Sequence, residues 1–198
     1  MRDVEGELQL LNIYDICSEG SKVLGPGIRY VIWTQGCPFR CKGCATPASR
    51  SLDTDKKICI SDLADDILSR PAIEGITISG GEPFLQAGVL ADLLNITSSK
   101  RPELTVLAFT GYTLKELIWP EAKRLLSHLD LLIDGPYQQD LNDNIGLRGS
   151  SNQCFHFFTP RLLPWKDELI YGKRKVEIHI SHNKNVVYGI PSKTLLAI

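Results

Sequence analysis

A chain of 198 residues, 43% apolar and 23% charged, has the length and balance of a single globular domain with a substantial core. Its 22 basic and 23 acidic residues leave a net charge of −1, which excludes the electrostatic footprint of a protein that binds nucleic acid or an anionic membrane. The acidic start Met1-Arg2-Asp3-Val4-Glu5-Gly6-Glu7 lacks the basic-then-apolar order of a signal peptide, and no apolar stretch approaches the about 18 residues of a membrane span, so a cytoplasmic location is expected.

Leu8 to Tyr14 reads as a first strand, and the polar stretch after it ends at Gly25-Pro26-Gly27, where glycines around a proline permit a tight turn. The β-branched and aromatic run Ile28 to Thr34 is the next strand, and it delivers a cysteine-rich loop at its carboxyl end. Ser61 is the expected N-cap of a helix over 61–70, with Asp62, Asp65 and Asp66 near its positive end, Leu63, Ile67 and Leu68 on one face, and Pro71 as its stop. Gly75 to Ser79 is a short strand that runs into Gly80-Gly81-Glu82-Pro83. A helix from about Gln86 to Ser98 groups Val89, Leu90, Leu93 and Leu94, and another strand follows at Leu104 to Phe109. Thr113-Leu114-Lys115-Glu116 has the capping-box pattern of a further helix, disturbed by Pro120 and reaching about Ser127, before a strand at Leu129 to Ile133. Residues 136–151 read as a polar loop, and 175–181 with 185–190 as a terminal hairpin around Asn183-Lys184-Asn185.

Strand and helix alternate three times, so the sheet in this region should be parallel with right-handed crossovers. A closed eight-fold barrel takes about 250 residues, more than this chain supplies. The expected α/β fold is therefore an incomplete, laterally open parallel β/α barrel, a single domain over 1–198, whose open side would admit a loop of a large protein substrate.

The chemistry-bearing stretch is Cys37-Pro38-Phe39-Arg40-Cys41-Lys42-Gly43-Cys44, three thiols in eight residues. A [4Fe–4S] cube normally takes four thiolates and a structural zinc site four N or S ligands, so three thiolates leave one metal position for water or substrate. A zinc loop would need a fourth ligand from Cys59 or one of His128, His156, His179 and His182, none of which stands at the usual partner spacing. Six cysteines could form three bridges, but a reducing compartment and the clustering of three of them point to metal. Cys17, Cys59 and Cys154 are scattered singly and read as small buried side chains, and the four histidines as structural or surface groups. No other nucleophile or acid–base constellation stands out.

On its C-x3-C-x2-C spacing the loop resembles that of the radical S-adenosylmethionine (SAM) superfamily. The resemblance implies that Cys37, Cys41 and Cys44 hold a [4Fe–4S] cluster whose open iron chelates the amino and carboxylate groups of SAM. It also implies reductive cleavage of the sulfonium to a 5′-deoxyadenosyl radical that abstracts hydrogen. The Gly80-Gly81-Glu82-Pro83 stretch begins 36 residues beyond Cys44 and sits where a strand turns into a helix, the place where open α/β sheets bind ligands. It is similar to the superfamily's SAM-binding motif, which contacts the methionine amino group. Taken without the cysteines, it would be an ordinary Gly-Gly turn.

Phe109-Thr110-Gly111-Tyr112-Thr113, Leu132-Ile133-Asp134-Gly135-Pro136-Tyr137 and Leu147-Arg148-Gly149-Ser150-Ser151-Asn152-Gln153 run in the same order as in the activating proteins of anaerobic ribonucleoside-triphosphate reductase. Read bottom-up, the first two are strand ends with turns, and the third is a polar loop whose Arg148 could bind a carboxylate or cap a helix. The resemblance covers 23–153 as a core and leaves 154–198 as an extension. It implies cofactor contacts by Gly43, Cys44, Ala45, Gly80, Gly81, Glu82, Thr110 and Asp134, and no catalytic residue beyond cluster and SAM.

After Cys44 the family usually has an aromatic residue or His and then Asn, whereas this chain has Ala45-Thr46. The side chain after the third cysteine lies near the adenine in this superfamily, and the stretch that follows faces the substrate. The implied partner is a large glycyl-radical enzyme, the anaerobic ribonucleotide reductase, with a precursor peptide as the alternative substrate. An electron donor such as flavodoxin or ferredoxin is implied with either. A non-catalytic zinc-binding interaction module is the reading from a different class.

Overall fold

The proline flanked by two glycines at 25–27 reverses the chain between its first two long strands, and the sheet grows outward from that hairpin. In the computed structural model, which describes residues 9–54, 56–180 and 185–192, β1 (Leu10–Ser21) pairs antiparallel with β2 (Arg29–Thr34) and, on its other edge, with β3 (Lys57–Cys59). β1 runs seven residues beyond the expected end at Tyr14. Within the polar stretch that follows, Ile16 and Cys17 pair with Ile32 and Val31, and register shifts on either side absorb the irregular pattern.

From β2 the sheet is parallel through β4 (Gly75–Gly80), β5 (Thr105–Phe109) and β6 (Leu131–Asp134), as alternation predicts. The crossovers are α1 (Ile60–Leu68), α2 (Ala87–Lys100) and α3 (Pro120–Leu126). β7 (Cys154–Phe157) then pairs antiparallel with β6, because the 135–153 connection carries no crossover helix. The result corrects the all-parallel expectation. It is an open, mixed, seven-stranded sheet of order β3-β1-β2-β4-β5-β6-β7. Past it come α4 (Lys166–Tyr171) and the two-stranded sheet of β8 (Val176–Ile180) and β9 (Asn185–Gly189). The expected hairpin is present, although most of its Asn183-Lys184-Asn185 turn, like Leu8 and His182, lies outside the described residues.

Helix boundaries shift for local reasons. α1 starts at Ile60 with Cys59, not Ser61, at its cap, because Cys59 still pairs with Leu10 in β3. The Thr113–Glu116 box forms, the Glu116 carboxylate accepting from the Thr113 amide at 2.7 Å, but it heads only a 3-10 turn over Leu114–Glu116. α3 starts afresh at Pro120, whose fixed φ and missing N–H suit a first helical position. Gln86 precedes α2 and clamps β1 through a pair of bonds, accepting from the Asn12 amide (2.8 Å) and donating to the Asn12 carbonyl (2.9 Å).

Both faces of the sheet are buried, as near-continuous apolar strands require. On one face Leu63, Ile67, Leu90, Leu93, Leu94, Ala122 and Leu125 of the three helices cover Ile32, Ile76, Ile78, Ala108 and Leu132. The other face carries Val31, Leu107, Leu131 and Ile133. Those residues meet Leu24, Leu162, Leu169 and Tyr188, so the chain beyond 156 fills much of this side. Arg29, wholly buried at the sheet's amino end, donates to Thr77 Oγ1 (3.0 Å) and to the carbonyls of Ile76 (2.6 Å) and Thr105 (3.0 Å), tying three neighbouring strands together.

Candidate metal centre

The cysteine loop leaves β2 at Thr34 and is held from behind by the 46–51 segment. The Gly36 amide donates to the Ser49 carbonyl (2.8 Å) and the Cys37 amide to that of Arg50 (3.1 Å), while Gln35 Nε2 donates to the Ser51 carbonyl (2.8 Å). Pro47–Arg50 forms a 3-10 turn with Ser49 wholly buried. Cys37, Cys41 and Cys44 are free, half-buried, and line one pocket with Gly43, Ala45, Thr46, Gly80, Gly81, Glu82 and Thr110.

Burial pushes the Cys37 and Cys41 thiols up, so metal loading must displace protons from them. Among the described residues, no group of three or more His, Cys, Asp or Glu side chains could hold one metal ion. Three thiols on one pocket suit a cluster with an iron for each thiolate, whereas a structural zinc would need a fourth ligand that the loop does not supply.

The Gly-Gly-Glu turn is locked onto this loop. β4 ends opposite Thr34 at Gly80, whose φ of 109° favours glycine. The Gly81 amide then donates to the Thr34 carbonyl and the Glu82 amide to the Gly36 carbonyl, both at 2.8 Å. A Cβ on Gly81 would lie 2.2 Å from the Gly36 oxygen, so the two motifs touch backbone to backbone.

Glu82 is 1% exposed, and its carboxylate accepts from the Phe84 amide (3.0 Å), the Thr110 hydroxyl (2.8 Å) and the Gly111 amide (2.7 Å). Three of its about four lone-pair sites are therefore filled from within the chain. Burial pushes its pKa up to about 7, against the pull of those donors. The folded state thus binds the proton more tightly than the unfolded chain, whose value is near 4.5. Cluster-free protein should lose stability as pH rises from about 4.5 to 7, by about 3 kcal/mol at one proton and about 1.4 kcal/mol per unit. Glu82→Gln should flatten that slope, as followed by urea midpoints across the range; an unchanged slope assigns the titration to another group.

Thr110 lines the pocket and orients Glu82. Asp134 is not among the pocket's lining residues. Its carboxylate accepts from the Leu114 amide and faces His156 Nε2 at 3.0 Å, out of line for a hydrogen bond. Arg148 donates to Asp143 at 2.9 Å, so its carboxylate partner is internal. Of the scattered cysteines only Cys17 is buried, whereas Cys59 is half-buried and Cys154 exposed, contrary to the expectation for all three.

Several contacts at the site join stretches that lie far apart in the chain. Phe39 packs against Gly111, where a Cβ would sit 2.7 Å from its ring, and meets Tyr112 edge-on at 4.9 Å. Gln153 folds the 148–153 motif onto the strand end, accepting from the Gly149 amide (2.7 Å) and donating to the Gly135 carbonyl (2.8 Å). Gly189, Ile190 and Pro191, far along the chain, form another wall of the pocket.

Fold and site together define a class: an α/β protein that presents a three-thiol loop and a Gly-Gly-Glu turn at the carboxyl mouth of a parallel sheet. The 4Fe-4S single cluster domain matches residues 23–156. The anaerobic ribonucleoside-triphosphate reductase-activating protein of Vibrio cholerae is 34% identical over 147 residues, covering 69% of this chain and 92% of the relative. The proteins of the same name from Escherichia coli K12 (32%, 68% and 91%) and from Enterobacteria phage T4 (30%, 66% and 85%) are similar to it as well. The chain belongs to the 4Fe-4S single cluster family that includes these reductase-activating proteins. Among the described residues, no helix is long and apolar enough to cross a membrane.

Proposed function

We propose that this protein is a radical SAM activase that installs a glycyl radical on an anaerobic ribonucleotide reductase. The observation that carries the reading is the shared pocket of Cys37, Cys41 and Cys44 with Gly80, Gly81 and Glu82, the two motifs joined by the Glu82 amide on the Gly36 carbonyl.

The thiols and the open pocket fit the implied group: Cys37, Cys41 and Cys44 would hold a [4Fe–4S] cluster, with one iron left for SAM. When bound, cluster and SAM together supply reductive cleavage of the sulfonium and a hydrogen-abstracting radical. Gly80 and Gly81 let the turn lie directly against the Trp33–Gly36 backbone, which holds its own backbone at the pocket beside the thiols, within reach of the methionine end. Glu82, stiffened by Thr110 and Gly111, has one acceptor site left for an ammonium. Gly43 and Ala45 leave room beside Cys44 for the adenosine end. Asp134 acts at one remove, fixing the Thr113-Leu114 turn after Thr110.

The four parallel strands β2, β4, β5 and β6 are the part of a laterally open radical SAM barrel that this reading needs. A one-electron donor such as flavodoxin or ferredoxin and a cytoplasmic setting go with it. A precursor peptide as substrate is the second reading, favoured by Ala45-Thr46, where an aromatic or His followed by Asn is expected.

The test is 5′-deoxyadenosine release by anaerobically reconstituted, reduced protein given SAM, with and without the host's anaerobic reductase. Release coupled to a glycyl radical on the reductase is expected. Release indifferent to the reductase redirects the search to peptides, and none from iron-loaded protein refutes the catalytic reading.

A further inference from the structure

The family match stops at residue 156, yet the chain beyond it reaches back to the cysteine pocket. Leu162 and Leu169 cover Leu107, Leu131 and Ile133, and Val186, Tyr188 and Ile190 cover Val31 and Trp33. The Tyr188 ring stacks on Trp33 with centroids 5.3 Å apart and planes at 16°, and it shares a buried cluster with Cys17 and Val31. Gly189, Ile190 and Pro191 then continue along the pocket wall.

The two halves of the extension are held with different firmness. Leu162 and Leu169 are buried, and Arg174 donates to Asn142 Oδ1 (2.8 Å) and the Gly149 carbonyl (3.1 Å), which anchors the chain up to that point. Beyond Arg174, β8 and β9 pair with each other and, among the described residues, with no strand of the main sheet, and Val176, Ile178 and Val187 are exposed. A lone two-stranded hairpin is marginal by itself. Among the described residues, its attachments include the Lys22 amide on Glu177 Oε1 (3.0 Å) and the apolar contact of Val186, Tyr188 and Ile190.

We propose that β8, β9 and Gly189–Pro191 form a gate on the cysteine pocket, hinged after Arg174 and latched by Tyr188 on Trp33, which a substrate polypeptide displaces to reach the thiol-lined mouth. The identity of the entering chain rests on the activase reading; the latch does not.

The test uses the full chain as wild type and as Tyr188→Ala, Tyr188→Phe and Ile190→Ala. Metal-free protein is treated anaerobically with iodoacetamide, and mass spectrometry follows alkylation of Cys37, Cys41 and Cys44 against exposed Cys154. Losing an aromatic stack should speed mouth labelling about three- to tenfold in Tyr188→Ala. Tyr188→Phe, which keeps the rings, should stay near wild type. In iron-loaded protein, Tyr188→Ala should lower the reductase concentration for half-maximal glycyl radical by the same factor, since substrate no longer works against the latch.

Equal labelling in all four folded proteins overturns the gate. If Tyr188→Ala does not fold, an unchanged rate in Ile190→Ala overturns it equally. Faster labelling with an unchanged reductase requirement overturns displacement by substrate. Failure of the activase reading is visible separately, as absent 5′-deoxyadenosine alongside altered labelling.

Discussion

Cys41→Ser should strip most of the iron from reconstituted protein and abolish 5′-deoxyadenosine release while leaving the domain folded. A hydroxyl keeps the size of the thiol but is a poor ligand for iron, and two remaining thiolates cannot hold the cube. The fold should survive because Cys41 belongs to none of the core clusters and its neighbours Arg40 and Lys42 are exposed. The metal-free variant should unfold within about 0.5 kcal/mol of metal-free wild type, as surface substitutions do. Cys154→Ser, at an exposed position that does not itself line the pocket, should retain full iron. Iron and sulfide per chain, with the visible absorbance of the cluster, decide the matter; a Cys41→Ser protein with full iron and activity refutes the ligand assignment.

Gly81→Ala should cost about 3 kcal/mol or more, an unusual penalty for one methyl group. The new Cβ would sit 2.2 Å from the Gly36 oxygen and 2.8 Å from that of Ser49, and both are backbone atoms that cannot swing aside. The turn must therefore move, taking with it the bonds from Gly81 and Glu82 to Thr34 and Gly36. Because Gly36 directly precedes Cys37, iron loading should fall with stability. Gly88→Ala in α2 is the internal control. Its Cβ would meet only the side chains of Glu121 and Arg124, at 3.4 Å or beyond, so it should stabilise by about 0.5–1 kcal/mol. Urea midpoints and iron content measure both variants. A wild-type midpoint in Gly81→Ala removes the backbone coupling from the account of the site.

Much of this arrangement could be read locally. Thiol spacing is a property of eight residues, and the Gly-Gly turn at a strand end is a property of four. The parallel core followed from strands and helices of ordinary length taken in turn, and Thr110 entered the pocket from the strand end where the turn signals put it. Helix starts were less legible, because pairing at β3 and the fixed φ of Pro120 overrode the capping signals at Ser61 and Thr113. Asp134 shows the limit more sharply. Its position at the carboxyl end of β6 suggested the mouth, but the Leu114 amide, twenty residues back, takes its carboxylate.

By itself the sequence determined the three-thiol loop, the Gly-Gly-Glu turn and the alternating parallel core, because each is encoded in short-range spacing and periodicity. Long-range contacts set the rest: Glu82 spends its carboxylate on Thr110 and Gly111, β3 and β7 make the sheet mixed, and Tyr188 reaches Trp33. Those outcomes depend on groups far apart in the chain that must satisfy buried donors and cover apolar surface, and no local pattern records which distant group will do so.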